Sequence, residues 1–250
     1  KIAKVNPKKS LSTEEIAIIG AGLMGQGVAQ VCADKGMKVL LIDVDKATAE
    51  AAIEKIGAGL EPLVKKGRWL PDRKERLMNN LCASGDYEKL KTIPLVIEAV
   101  FEDLDLKQKI LKQVQDINPD IIFASNTSTI PMEDISAKSN RPEQVVGMHY
   151  FSPVPLMPLL EVIQGPKTSE AALATAVTSG RRQGKTCIVV GDGPAFYTSR
   201  TFGVFVMTGF YLAEMGLDPW EIDHLALEAG FPQGPLHVYG TAGGNVVYHA

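Results

Sequence analysis

A histidine and a glutamate twelve residues apart are the side chains in this sequence best suited to moving a proton. His149 is one of four histidines and the only one beside the end of a predicted strand with a proline-bracketed loop behind it. Imidazole titrates near neutral pH and can take a hydroxyl proton while a hydride leaves the adjacent carbon. Glu161 falls on the neighbouring predicted strand, where it could accept the other imidazole N–H and stabilise the imidazolium. Taken singly, each residue has a simpler interpretation, as a satisfied core histidine and a solvated strand end.

Three polar segments lie at the ends of predicted strands, among apolar neighbours. They are residues 124–131, which contain Ser125-Asn126-Thr127-Ser128, residues 147–153 around His149 and residues 159–163 around Glu161. Ligands of open α/β sheets bind beyond the carboxyl ends of the strands. We therefore expect these segments to gather at one site.

A glycine-rich turn supplies a second candidate site. Gly20-Ala21-Gly22-Leu23-Met24-Gly25 matches the GxGxxG pattern and stands between an apolar strand, residues 16–19, and a predicted helix. Gly20 allows the tight turn, Gly22 lets a pyrophosphate approach the backbone, and Gly25 permits close helix–strand packing. The helix N-terminus adds free N–H groups and positive partial charge. The pattern predicts dinucleotide binding.

Asp43 closes the second predicted strand, near the spacing expected of a ribose-binding acid. Its carboxylate can accept hydrogen bonds from both ribose hydroxyls and would repel a 2′-phosphate. No arginine occurs in Val44-Asp45-Lys46, so NAD is favoured over NADP. The simpler alternative is a glycine turn with a surface aspartate.

Apolar runs and helical stretches alternate along most of the chain. Strands are predicted at residues 16–19, 39–42, 95–97, 121–124, 144–148, 159–163 and 187–190. Helices are predicted at residues 23–35, 105–115 and 169–182, with two more in residues 46–80 broken around Gly67 to Pro71. This order predicts an α/β fold with a Rossmann-type, doubly wound and mostly parallel sheet.

The last quarter of the chain changes character. Residues 197–215 and 219–229 are predicted to be helical, with no strand candidate between them. We predict a linker-like segment over residues 1–11, an NAD-binding Rossmann domain over 12–193 and a smaller, apparently truncated all-helical domain over 194–250. A start without methionine and the linker-like Asn6 to Ser10 lead us to expect a fragment of a longer chain.

Composition excludes several classes of protein. The chain is 45% hydrophobic and 22% charged, which is ordinary for a globular protein, and its net charge of -3 argues against a nucleic-acid binder. Its longest apolar stretch, residues 202–213, is too short to span a membrane. Cys32, Cys82 and Cys187 have no metal-ligand spacing, so no metal site is predicted, and their odd number favours a reducing compartment. The expected location is the cytoplasm of a bacterium, or the mitochondrial or peroxisomal matrix of a eukaryote.

Six strings, in order and over residues 14 to about 237, resemble the 3-hydroxyacyl-CoA dehydrogenase family, particularly the dehydrogenase part of multifunctional fatty-acid oxidation proteins. The strings are Gly20-Ala21-Gly22-Leu23-Met24-Gly25, Glu98-Ala99-Val100, Ser125-Asn126-Thr127-Ser128, His149-Tyr150-Phe151-Ser152-Pro153, Glu161-Val162-Ile163 and Gly191-Asp192-Gly193-Pro194. The resemblance implies NAD-dependent oxidation of L-3-hydroxyacyl-CoA to 3-oxoacyl-CoA in fatty-acid β-oxidation. It also implies a possible homodimer, or fusion to an enoyl-CoA hydratase domain in a longer chain.

The resemblance assigns roles to individual residues. His149 is implied to be the catalytic base, Glu161 its partner, and Ser128 a hydrogen-bond donor to the substrate's 3-oxygen. Lys65 and Lys66 lie where coenzyme A phosphates would be held, although a lysine pair on a polar helix is usually only a solvated face. The positions implied to contact the cofactor, besides the glycines and Asp43, are Leu23, Met24, Ala99, Val100, Glu102, Lys107 and Asn126.

Two departures from the family pattern concern the reaction centre. Ser199 replaces an asparagine that helps to bind the reacting oxygen, and a hydroxyl on a shorter side chain would need a bridging water. Ala195 replaces a glycine, which is harmless only if its φ angle is negative. These departures favour an alternative, an NAD-binding protein with weak or no catalysis and a structural or regulatory role, as in lens lambda-crystallin. A third interpretation is a related dehydrogenase acting on hydroxybutyryl-CoA or a free hydroxy acid.

Overall fold

The computed structural model of the chain describes residues 5–242. The chain divides into two compact units between Asp192 and Gly193. The first contains the whole sheet, and the second is helical over its described residues. The predicted boundary after Gly193 lies one residue from this division.

The first unit is built on an eight-stranded sheet with the strand order β3-β2-β1-β4-β5-β6-β7-β8. Its strands are β1 (Glu15–Ile19), β2 (Lys38–Ile42), β3 (Leu81–Ser84), β4 (Leu95–Glu98), β5 (Ile122–Ser125), β6 (Val145–Tyr150), β7 (Leu159–Gln164) and β8 (Thr186–Gly191). Neighbouring strands are parallel except β6 and β7, which pair antiparallel. The predicted doubly wound, mostly parallel sheet is confirmed.

Helices connect these strands as the apolar periodicity predicted. They are α1 (Leu23–Asp34), α2 (Lys46–Lys65), α3 (Pro71–Asn79), α4 (Leu104–Ile117), α5 (Met132–Ser136) and α6 (Glu170–Arg182). The predicted break between two helices around Gly67 to Pro71 is confirmed, since α2 ends at Lys65 and Pro71 begins α3. Proline suits the first helical position because its missing N–H would have no partner there.

The central strands are buried almost completely. In β1, Ile16 to Ile19 are at most 1% exposed, and every residue of β4 and β5 is buried. Strands covered on both faces consist of continuous apolar runs, which is why the sequence predicted them well. The prediction missed β3 and the short α5. β3 is an edge strand of four residues, only two of them buried, so it carries little apolar signal.

Residues 5–11 contact the rest of the first unit and are not a free linker. Pro7–Lys9 form a 3-10 helix, Leu11 N donates to the Thr175 hydroxyl, and Lys9 pairs with Glu170 of α6. The prediction of a linker was wrong for this segment, because its polar composition did not show that it forms hydrogen bonds and an ion pair with Thr175 and Glu170. Residues 1–4 lie outside the described residues.

The second unit contains α7 (Thr198–Glu214), α8 (Pro219–Glu228) and α9 (Pro235–Ala242). The two helices predicted at residues 197–215 and 219–229 are confirmed. Asp223 of α8 accepts the Leu236 and His237 N–H groups, each at 2.9 Å, and so caps α9. Residues 243–250 of the predicted incomplete end lie outside the described residues. Over residues 5–242, no helix has the length and apolar character needed to cross a membrane.

Candidate active site

The turn between β1 and α1 is shaped by glycines with different requirements. Gly20 has a φ angle of +98°, and a Cβ there would lie 2.6 Å from the Ala99 carbonyl oxygen. A Cβ on Gly25 would lie 1.8 Å from the Gly20 carbonyl oxygen. A Cβ on Gly22 would meet no atom within 4 Å, and no side chain caps the helix that begins there. Packing therefore requires Gly20 and Gly25, whereas Gly22 borders open space.

Asp43 binds this turn to the end of β2. Its Oδ2 accepts the Ala21 N–H at 2.6 Å, and its Oδ1 accepts the Val44 N–H at 2.7 Å. Each carboxylate oxygen has a second acceptor site, so Asp43 can still accept a ribose hydroxyl. An uncapped helix N-terminus, open space at Gly22 and a carboxylate beside them fit a dinucleotide.

The remaining predicted cofactor positions surround the turn. Ala99 N donates to the Ile19 carbonyl at 2.8 Å, which places the segment after β4 against β1. Val100 N donates to Glu98 at 2.8 Å. Leu23 is 77% exposed, and Met24 is partly buried against the core. Their contacts with the cofactor stay a prediction.

A buried ion network lies beyond the carboxyl end of β4. The Lys107 ammonium is 2.8 Å from Glu98 Oε1 and 3.3 Å from Glu102 Oε2, and the Lys107 side chain is 1% exposed. Glu98 is fully buried, and its Oε2 accepts the Ser125 hydroxyl at 2.6 Å. One ammonium thus serves two carboxylates, which links α4 to the ends of β4 and β5.

Glu102 holds the loop that carries Ser128. Its Oε1 accepts the Thr127 hydroxyl at 2.5 Å, the Ser128 N–H at 2.9 Å and the Thr129 N–H at 3.2 Å. Burial raises the pKa of Glu102, but the Lys107 charge and these hydrogen bonds outweigh it, so the pKa lies below its ordinary value. The structure therefore shows Glu102 and Lys107 supporting this loop, and their predicted contact with the cofactor stays a prediction.

Asn126 connects the ends of β5 and β6. Its side-chain oxygen accepts the Tyr150 N–H at 2.9 Å, and its own N–H donates to the Glu98 carbonyl at 2.8 Å. Tyr150 follows His149 directly in β6. The Asn126 side chain thus fixes the backbone beside the candidate base.

The structure brings His149 and Glu161 together. They face each other across the antiparallel β6–β7 pair, with His149 Nδ1 2.9 Å from Glu161 Oε2. Their side chains are 6% and 0% exposed. Because β7 is antiparallel to β6, its first residues lie at the same edge of the sheet as the carboxyl ends of β5 and β6. A buried carboxylate on Nδ1 fixes the tautomer in which Nε2 can act as a base.

The other predicted residues lie on different elements. Ser128 is half-buried in the loop held by Glu102, and Lys65 and Lys66 are exposed at the end of α2. Ser199 lies in the first turn of α7, in the second unit. Their predicted contacts with the substrate stay predictions.

Ala195 would be a harmless replacement for glycine only if its φ angle were negative, and the angle is positive. Its φ angle is +57°, and that of Phe196 is +47°. Both residues adopt the left-handed conformation that glycine adopts at little cost. The segment before α7 is therefore strained at the position where the resemblance implies a glycine.

Sequence reasoning missed the supporting residues. The sequence patterns predict no role for Ser125, Thr127 or Glu98. One signal could have found Glu98, since a carboxylate that ends a fully apolar strand needs a partner, and Lys107 follows nine residues later.

Two family models together match nearly the whole chain. Residues 15–193 match the model described as 3-hydroxyacyl-CoA dehydrogenase, NAD binding domain, and residues 196–250 match the model of the C-terminal domain of the same enzyme.

Solved structures that are similar to this chain include the following three. (S)-3-hydroxybutyryl-CoA dehydrogenase PaaH1 from Ralstonia eutropha is 34% identical with a TM-score of 0.89, and the match covers 95% of this chain and 85% of that one. FadB2 from M. tuberculosis is 30% identical with a TM-score of 0.88 and the same two coverages. The 3-hydroxybutyryl-CoA dehydrogenase from Escherichia coli is 33% identical with a TM-score of 0.89, over 95% of this chain and 51% of that one.

Proposed function

Because the chain belongs to the 3-hydroxyacyl-CoA dehydrogenase family and has its NAD-binding domain, we propose that it oxidises L-3-hydroxyacyl-CoA to 3-oxoacyl-CoA. The family makes the chain an NAD-dependent oxidoreductase. The observation that carries the proposed reaction is the buried contact of 2.9 Å between His149 Nδ1 and Glu161 Oε2.

His149 acts as the general base in this proposal. With Nδ1 bonded to Glu161, Nε2 takes the proton of the 3-hydroxyl as the C3–H bond breaks. The glycine turn and Asp43 would hold NAD⁺, which would supply the acceptor for the hydride that leaves C3. Glu161 stabilises the imidazolium that results, and in the reverse direction His149 returns the proton to the oxygen.

Polar side chains stabilise charge on the reacting oxygen. Ser128, on the loop held by Glu102, and protonated His149 donate hydrogen bonds to it. Ser199 is proposed to assist through its hydroxyl, with a water bridging the distance that an asparagine would span. Such donors lower the barrier because they are oriented before charge develops.

The substrate proposal includes its carrier and its metabolic role. Lys65 and Lys66 are proposed to bind coenzyme A phosphates, and the reaction is proposed to serve fatty-acid β-oxidation. Two similar structures are named for 3-hydroxybutyryl-CoA, which supports a short acyl chain as the first substrate to test. A homodimer, or fusion to a hydratase domain, is proposed on the resemblance alone.

The test is oxidation of NADH by acetoacetyl-CoA, followed by the loss of NADH absorbance. We expect turnover in the wild type and a decrease in kcat of about 10²–10⁴-fold in His149→Gln and in Glu161→Gln, because each removes part of the base. The Kd of NADH, measured by fluorescence, should stay within about twofold of the wild-type value. In the proposed mechanism the base acts on the substrate, so its removal should leave the free energy of NADH binding nearly unchanged.

His224→Gln is the matched control, since His224 is a half-exposed histidine of α8 paired with Glu228. It should keep wild-type turnover. Wild-type kcat in the His149 variant would contradict the mechanism. A wild type that binds NADH and turns over no acyl-CoA would favour the weakly catalytic, NAD-binding alternative.

A further inference from the structure

The strands that carry His149 and Glu161 are joined by an eight-residue connection, residues 151–158, here called the β6–β7 loop. Two-residue hairpin turns set the register of the strands that they join, whereas a connection of this length does not. Leu156 is 77% exposed and Val154 is 2% exposed, so the loop is buried on one side only. Something besides the turn must hold it.

Lys185, the residue before β8, holds this loop. Its ammonium donates hydrogen bonds to the Val154 and Met157 carbonyl oxygens, the second at 2.7 Å. The next residue continues the contact, because Thr186 N donates to the Pro158 carbonyl at 2.8 Å. Both ends of the loop's second half are therefore bound to the start of β8.

The ammonium is buried at a cost. Lys185 is 8% exposed, and the described hydrogen bonds of its ammonium go to uncharged carbonyl oxygens. Burial lowers its pKa, which the nearby Cys32 only partly opposes. An apolar side chain would avoid this desolvation cost. The bonds to the two carbonyls account for a lysine at this position.

The loop is also anchored on α1. Val154 packs against Gly27, where a Cβ would lie 2.8 Å from the Val154 Cβ. Lys185 and Gly27 therefore bind Val154 from two elements, one through its carbonyl and one through its side chain. Tyr150, at the end of β6, is held by a residue close to Lys185 in the chain, because its hydroxyl donates to the Gln183 side-chain oxygen at 2.8 Å.

We propose that Lys185 is a positioning residue, whose ammonium fixes the β6–β7 loop and thereby the strand ends that set His149 against Glu161. This inference rests on the proposed function, because it predicts an effect on turnover. A displacement of about 1 Å in a reacting group can cost about 10²-fold in rate, so loosening the loop should lower kcat. The hydrogen bonds described for the Lys185 ammonium go to the loop and not to the cofactor turn, so NADH binding should change much less than kcat.

The experiment compares Lys185→Met, which removes the donor, with Lys185→Arg, which keeps a charged one. We expect kcat for acetoacetyl-CoA reduction to fall at least tenfold in Lys185→Met and to be largely restored in Lys185→Arg. The Kd and KM of NADH should stay within about twofold of the wild type. Lys35→Met is the matched control, because Lys35 lines one cavity together with Lys185 and residues 155–158 and has no described hydrogen bond to the loop. It should keep wild-type kcat.

Hydrogen exchange provides a readout that does not depend on activity. The Leu156 and Met157 N–H groups donate to the Pro153 carbonyl at 2.9 and 3.1 Å, and they should exchange faster in Lys185→Met than in the wild type or Lys35→Met. Lys185→Gln, which keeps a neutral donor, replaces Lys185→Met if that variant does not fold, and should show an intermediate effect.

The outcomes separate the two proposals. A folded Lys185→Met with wild-type kcat, or with unchanged exchange at Leu156 and Met157, overturns the positioning role. An equal loss of NADH affinity and of kcat also overturns it, since that would indicate general unfolding. A wild type without turnover contradicts the proposed function. In that case hydrogen exchange at Leu156 and Met157 alone tests whether Lys185 holds the loop.

Discussion

Asp43 is a residue with two uses for one carboxylate. Its two oxygens hold the N–H groups of Ala21 and Val44, which orders the glycine turn before any ligand arrives. The remaining acceptor sites of the same oxygens suit ribose hydroxyls and repel a 2′-phosphate. At this scale, we expect one side chain to set both the preference for NAD and the order of the turn.

We expect Asp43→Ala to raise the Kd of NADH about tenfold or more, because hydrogen bonds to a charged group are worth about 1.5–3 kcal/mol. The Kd of NADPH should already be high in the wild type and should rise less. Fluorescence titration of both cofactors measures this.

Asp45→Ala is the matched control, because Asp45 caps α2 through the Thr48 N–H at 2.7 Å. It should lower stability slightly through loss of the helix cap and leave the Kd of NADH unchanged. Equal wild-type affinities for NADH and NADPH, or no loss of NADH affinity in Asp43→Ala, would remove Asp43 from the ribose site.

At the scale of the element, α1 has Gly22 as its N-cap and Gly25 in its first turn, and the two glycines differ in what surrounds them. Gly25→Ala should destabilise the protein by several kcal/mol or prevent folding, because its Cβ would lie 1.8 Å from a backbone oxygen. Gly22→Ala should fold with nearly wild-type stability, because its Cβ meets no atom within 4 Å. It should nevertheless bind NADH at least tenfold more weakly, because the methyl group occupies the approach of the pyrophosphate.

Urea denaturation and NADH titration of the two variants separate folding from binding. A Gly22→Ala variant with wild-type NADH affinity would show that the pyrophosphate does not approach this glycine.

The segment leading into α7 gives a prediction about backbone strain. Replacing a helical alanine by glycine costs about 1 kcal/mol, as we expect for Ala226→Gly in α8. Ala195→Gly should cost close to nothing, because relief of about 1–2 kcal/mol of left-handed strain offsets the lost methyl group and the added chain entropy. The difference between the two variants measures the strain at Ala195.

Both alanines lie in the second unit, so urea unfolding can be followed there by Trp220 fluorescence in a Trp69→Phe background. Equal destabilisation by the two substitutions would show that Ala195 is not strained in solution.

At the scale of the whole molecule, stability should depend on pH, because the net charge is -3 and several carboxylates are paired with basic groups. The Glu102 carboxylate has a lowered pKa in the folded state, so it contributes stability above its unfolded pKa of about 4.3. That contribution is lost as the pH falls through the lower, folded pKa. Glu102→Gln should therefore reduce stability at neutral pH and flatten the loss of stability below about pH 5.

The free energy of unfolding between about pH 3 and pH 7, followed by Trp69 in a Trp220→Phe background, tests this pH dependence. Glu61→Gln is the control, because Glu61 pairs with Lys74 at the surface, where such pairs contribute little. An unchanged pH dependence in Glu102→Gln would show that the ion network does not stabilise the first unit.

The sequence by itself determined most of the sheet, the break between α2 and α3, the glycine turn and the two helices after Tyr197. These features depend on neighbouring residues: continuous apolar runs mark strands buried on both faces, and glycine or proline marks the places where the chain must turn. The family resemblance likewise depends on strings that are each local in the chain. It could name His149 and Glu161 but could not measure their separation.

Only the tertiary structure decided how distant segments meet. It showed that β7 runs antiparallel to β6, which sets Glu161 Oε2 2.9 Å from His149 Nδ1. It also showed the ion pair between Lys107 and Glu98, the positive φ angle of Ala195 and the hold of Lys185 on the β6–β7 loop. Strand direction, the buried charge pair and the Lys185 contact are set by packing between elements of the first unit. Residue type and spacing along the chain do not specify them, because the partners lie nine to about thirty residues away.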